Sequence, residues 1–189
     1  MAKAKNPITL SREFGIDQRV LARTGVLDVT LAIDTKLFID PLLLRRSAHP
    51  EINVQAVQIY HSHFDTIIRF LANSRSEGDA AWKAAEKKLA FPEINGTCLG
   101  YGAGSIHGSG FGPKLTNRVL RVAAQIVDIG VRDPDLFAAM ALFESDIGPD
   151  RISDMTTNII LSALSAFNAR VLTDLKLTGE SFQFGCFLV

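Results

Sequence analysis

Two apolar runs stand near the start of the chain. "GVLDVTLAI" (25–33) and "KLFIDPLLL" (36–44) are dominated by Val, Leu, Ile and Phe, with Asp34-Thr35-Lys36 at their junction. Runs of this composition separated by turn formers predict a β-hairpin. Pro41, which donates no ladder hydrogen bond, ends the second strand. The polar stretch 1–19 before them reads as a loosely held arm.

From Pro50 the spacing changes. Val54, Val57, Tyr60 or His61, Phe64, Ile67, Ile68 and Leu71 recur at intervals of three and four, which predicts an amphipathic helix to about Asn73. "SEGD" opens a second helix, "AAWKAAEKKLA", whose lone Trp82 reads as core. "PKLTNRVLRVAAQIVDIG" is a third, with Pro113 in its first turn and Gly130 at its end. "RDPDLFAAMALFE" is a fourth, capped by Asp133. "SDMTTNIILSALSAFNARVLTDL" is the longest; it is expected to start near Ser153 and to bury Ile159, Ile160, Leu164 and Phe167. The final "ESFQFGCFLV" alternates and then turns wholly apolar, which reads as a terminal strand and suggests the N-terminal part of a longer protein. Strands, then helices, then a strand predict an α+β fold: a small sheet, made of the N-terminal hairpin plus the C-terminal strand, packed against about five helices. The organisation expected is an arm over 1–19 and a single α+β domain over 20–189.

Composition narrows the setting. Lys plus Arg total 20 and Asp plus Glu total 20 in 189 residues, so no bulk positive field attracts nucleic acid or anionic lipid. Cys98 and Cys186 form neither a disulfide framework nor a paired metal motif. The N-terminus lacks the apolar run of a signal peptide, and no stretch of about 18 apolar residues exists to span a membrane. A soluble cytoplasmic protein with no membrane association is expected.

The candidate chemistry lies in two loops. "FESDIGPDRISDMTTNII" places Glu144, Asp146, Asp150 and Asp154 within eleven residues. A helix start explains one or two of these acids, because its first N–H groups are unpaired and its dipole is positive there. Four together repel unless a positive charge sits among them, supplied by Arg151 or by a bound Mg2+ or Mn2+. The second loop is "LGYGAGSIHGSGFGPK". Seven of the seventeen residues from Gly96 to Gly112 are glycine, which excludes a helix. A glycine-rich loop ahead of a helix can cradle phosphate, here with Gly108, Gly110 and Gly112 approaching it, Lys114 adding charge and His107 available as an acid or base.

Two shorter patterns complete the set. "HSHFD" (61–65), with "LFIDP" upstream, resembles the His-x-His-x-Asp core of the metallo-β-lactamase family, but Thr66 stands where that family has its next histidine. On a helix, His61 and His63 point about 200° apart and cannot grip one metal. His61 is expected toward the apolar face. "Asp34-Thr35-Lys36" is similar to the second half of the restriction-type nuclease pattern, in which a carboxylate holds metal and a lysine positions water.

Together, "DTKLFIDPLLL", "TCLGYGAGSIHGSGFG" and "FESDIGPDRISDMTTNII" resemble an uncharacterised family of bacterial proteins. That resemblance implies a bacterial cytoplasmic setting and a restriction or phage-defence role. The function expected is metal-dependent hydrolysis of a phosphodiester in nucleic acid. Asp150, Asp154 and Arg151 would be catalytic, and Glu144, Asp146, Asp150 and Asp154 would hold Mg2+ or Mn2+. The alternative is a non-enzymatic scaffold or sensor domain in a larger defence assembly, contacting a protein partner or further copies of itself.

Overall fold

The computed structural model describes residues 8–31, 33–91, 97, 99–100, 112–142, 144–178, 183–184 and 187–188. The protein is mostly helical, and the expected α+β architecture is corrected: among the described residues no sheet supports the helices. Strand pairing there is confined to a two-residue antiparallel ladder, β1 (Gln183–Phe184) with β2 (Phe187–Leu188), and to isolated bridges Thr9–Thr30 and Thr35–Leu99.

The reason lies in two aspartates within the apolar runs. Asp40 accepts a hydrogen bond from the Leu42 amide at 2.9 Å, so "DPLLLRR" starts a 3-10 helix, Pro41–Arg46, with Pro41 in its first turn. Asp28 receives the Ser11 amide and hydroxyl at 2.8 and 2.7 Å. The first run therefore pairs with residues 8–11: Leu10 N donates to Val29 O, and Leu31 N to Ile8 O. Each run meets a partner other than the one a hairpin requires.

Short helices α1 (Leu10–Glu13) and α2 (Gln18–Thr24) precede these elements. Asp17 caps α2 through the Arg19 and Val20 amides. A π-helical turn, Glu51–Ala56, runs directly into α3 (Val57–Asn73), the central helix. Tyr60, Phe64, Ile67, Ile68 and Leu71 form its buried stripe, as the spacing predicts. Around it pack α4 (Ala80–Leu89), α5 (Pro113–Asp128), a 3-10 helix (Pro134–Leu142) and α6 (Pro149–Asp174). Asp79 caps α4 through the Trp82 amide, and three further hydrogen bonds hold its carboxyl down to a pKa of about 2. Trp82 is buried in the core. Gly130, at φ +97, closes α5 with a Val131 N to Ile126 O bond. The predicted fourth helix is a 3-10 helix, whose three-residue period puts Phe137 and Met140 on one buried face. Phe64 stacks on Phe137 with ring centroids 4.2 Å apart.

The longest helix begins four residues before Ser153. Gly148 is its boundary residue and Pro149 its first helical residue, so Asp150 and Ser153 lie inside it rather than capping it. Ile160 is fully buried, Ile159 and Leu164 are partly buried, and Phe167 packs edge-on against His49.

Candidate functional site

The four acids of the opening motif divide into two groups. Glu144 and Asp146, in the loop before α6, both face Arg118 of α5. Its Nε lies 3.5 Å from the Glu144 carboxylate, and its Nη2 donates to Asp146. Arg118 holds the Asp146 carboxyl below its ordinary range, and Asp146 in turn raises the guanidinium. Arg151 donates to the backbone carbonyl of Asp146. Two carboxylates that face the same point repel unless a cation lies between them; α5 supplies it from a helix distant in sequence. Lys114 is exposed one turn before Arg118 on the same face of α5.

Asp150 belongs to the second group. It sits in the first turn of α6, where the helix dipole favours a carboxylate. Opposite it is Asp34. Both carboxylates converge on Gly100: a Cβ there would lie 2.8 Å from Asp150 Oδ1 and 3.5 Å from Asp34 Oδ2. Gly100 has φ +133, a conformation closed to most side chains, and donates its N–H to Thr35 O at 3.0 Å. The parallel Thr35–Leu99 bridge continues this contact. From the other side the Ile39 N–H donates to the buried Ser153 hydroxyl at 2.9 Å, tying the Asp34–Asp40 segment to α6. The Asp34-Thr35-Lys36 turn is thus held between residues 99–100 and the start of α6. Thr35 Oγ1 is a buried hydroxyl with no hydrogen-bond partner among the described residues. Lys36 is exposed on the same turn. Asp154, half-buried, follows Asp150 by one helical turn.

Among the described residues no three His, Cys, Asp or Glu side chains gather closely enough to hold a metal together. Gly112 is the boundary residue of α5 with an ordinary φ of −69°. His107, Gly108 and Gly110 lie outside the described residues. The histidines of "HSHFD" diverge, as helical geometry requires. His63 Nε2 lies 3.1 Å from the Lys88 carbonyl, and its ring packs against Phe64 and Phe91. Burial lowers its pKa to about 4. His61 is the more polar of the two: its Nε2 lies 3.3 Å from Asp135 Oδ1. Arg45 Nη2 lies 3.1 Å from Nε2 and 3.5 Å from Nδ1, which puts the guanidinium over the ring face rather than in its plane. His61 therefore faces charged groups, not the apolar core expected for it.

In the sequence Asp34 and Lys36 stand apart from the acid loop, and nothing there marks Arg118, Gly100 or the Thr35 hydroxyl as part of a site. The Asp-Thr-Lys spacing carried a signal for the first pair. Arg118 and Gly100 carried none, since their roles depend on contacts across the fold.

Residues 15–185 match the model of a family described as Domain of unknown function (DUF8370). No curated protein and no solved structure matches the chain.

Proposed function

The chain belongs to that family, whose description supplies no chemistry, and from the geometry we propose that it is a metal-dependent phosphodiester hydrolase acting on nucleic acid, centred on Asp34 and Asp150. One observation carries the reading: two carboxylates distant in sequence converge on a glycine whose backbone leaves no room for a side chain. Oxygen donors of this kind suit Mg2+ or Mn2+, which commonly take one or two protein carboxylates and complete their shell with water and substrate phosphate. The donor set fits such an ion. The two carboxylates lie close against Gly100, and the unpartnered Thr35 hydroxyl belongs to the residue next to Asp34. The ion would lower the pKa of a bound water and stabilise the departing oxygen. Asp34 and Asp150 would hold it. Lys36, on the Asp-Thr-Lys turn, would position the attacking water or balance phosphate charge. Asp154 would support Asp150 from the next turn. Glu144 and Asp146 have a different part: they answer to Arg118 and fix the loop that aims α6.

A bacterial restriction or defence setting is the biological extension of this proposal, and it rests on the sequence resemblance. The second reading, a non-enzymatic assembly domain, draws support from the same Arg118 clamp, which engages half of the acid motif without any ion.

The test is a thermal titration with MgCl2 or MnCl2. A ion that binds only the folded state raises the melting temperature by mass action. We expect a rise in the wild type that Asp34→Asn and Asp150→Asn each remove. Nuclease activity on single- and double-stranded substrates should disappear with it. No metal-dependent shift in the wild type would sink the hydrolase and leave the assembly reading.

A further inference from the structure

We propose that the pocket between the end of α3, the loop into α4 and the second half of α5 binds a small ω-amino acid, a carboxylate and an ammonium joined by a short apolar chain. The pocket has a volume of about 270 Å³, below the size of pockets that hold drug-sized ligands. Leu71, Trp82 and Ala124 give it an apolar lining, and charged side chains stand around them. Arg121 and Asp128 line it from α5, two turns and therefore about 10 Å apart along the helix axis. At the Arg121 end, Glu77 of the loop receives both Nε and Nη2 on one oxygen, Oε2, at 3.2 and 3.0 Å. Arg75, on the same loop, also lines the pocket, and among the described residues its side chain makes no hydrogen bond or ion pair. Asp128 is likewise unpaired among the described residues.

The loop is fixed before any ligand arrives, which lowers the cost of binding. The Asp79 carboxylate accepts from the Ser74 hydroxyl and from the Arg75, Ser76 and Trp82 amides. The ligand's chemistry follows from the full set of lining charges. These are two cations, Arg75 and Arg121, and two anions, Glu77 and Asp128, of which Arg121 and Glu77 answer each other. One cation and one anion are left. A simple anion or a simple cation would leave one of them unanswered, whereas a zwitterion meets both. The neighbouring charges in the chain do not alter this. Asp79 is engaged by its own loop, and Arg132 donates to the Val127 and Val131 carbonyls beyond α5. Asp128 also ends α5, where the helix dipole disfavours a carboxylate and an ammonium relieves it. The two-turn wall asks for an extended molecule, whose methylenes would cover Leu71, Trp82 and Ala124. None of this uses the Asp34–Asp150 pair, so the proposal stands apart from the metal reading.

Trp82 is the single tryptophan of the chain, so its fluorescence reports on the pocket without a label. Titration of the full chain with ε-aminocaproate at constant ionic strength is expected to give a saturable change. Hexanoate and hexylamine each carry one end of that molecule, and β-alanine is too short to reach both. Each loses a charge-assisted hydrogen bond and should bind about tenfold more weakly or worse. Arg75→Gln and Asp128→Asn should weaken ε-aminocaproate by a similar factor and leave the thermal transition unchanged, because both side chains are exposed. Proton–nitrogen correlation spectra follow the same titration through the Trp82 indole and the Ser74–Glu77 amides, independently of fluorescence. No saturable change in either measurement overturns the proposal. So does equal binding of any of the three controls, or a variant that binds as the wild type does.

Discussion

At the scale of single residues, Gly100 is the most constrained position in the candidate site. Two costs meet there: a positive φ, which strains any L side chain, and a Cβ driven against Asp150 Oδ1. Gly78 separates them, since it has φ +84 with nothing within 4 Å of its would-be Cβ. Gly100→Ala should lower the unfolding free energy by about 1–3 kcal/mol, and Gly78→Ala by the smaller part due to φ alone. Only Gly100→Ala should weaken the metal-dependent rise in melting temperature, because only it displaces a carboxylate. Chemical denaturation with and without Mg2+ reads both effects. His63 makes a second residue-scale prediction. Its pKa falls from 6.5 to about 4 on burial, so the unfolded chain binds its proton more readily than the folded one. The stability it contributes is present above pH 6.5 and is lost as pH falls through that window toward 4. His63→Gln should flatten the denaturation-derived stability profile between those limits.

At the scale of elements, local pattern and long-range contact part company. The stripe on α3, the aspartate cap on α4 and the glycine close of α5 were all legible, because each is written within one or two turns of chain. The hairpin was not. A short run of Val, Leu and Ile does not by itself tell a strand from a helical segment. What decided was Asp28 reaching back to Ser11 and Asp40 capping its own 3-10 helix. The start of α6 was misplaced for a related reason: Ser153 resembles a cap, yet its hydroxyl is taken by Ile39 N from a segment more than a hundred residues away. Burial along α6 gives a direct check. Ile160 has no exposed surface, and an unpaired charge there costs several kcal/mol. Ile160→Asp should abolish the cooperative thermal transition seen by circular dichroism. A folded variant would mean that α6 packs through another face.

At the scale of the whole molecule, no described helix is long and apolar enough to cross a membrane, and the fold serves chiefly to bring distant loops to α6. Arg118 draws the loop before α6 onto α5, and Arg170 near its far end clamps Glu51 of the π-helical turn with Nε at 2.7 Å. Between these clamps the Asp34 segment docks on the first turns of α6. The candidate site was half legible in sequence: Asp150 stood out in a dense acid motif and Asp34 in an Asp-Thr-Lys triplet, but nothing joined them. By itself the sequence determined the longer helices α3, α4, α5 and α6 and their inward faces, since hydrophobic period and capping act between neighbours within a turn or two. Only the tertiary structure decided that the apolar runs form no hairpin, that Arg118 of α5 meets both Glu144 and Asp146, and that Asp34 and Asp150 converge on Gly100. Each of these depends on charges and amides brought together by packing, and the partner of a carboxylate is chosen by distance in space, which spacing along the chain does not encode.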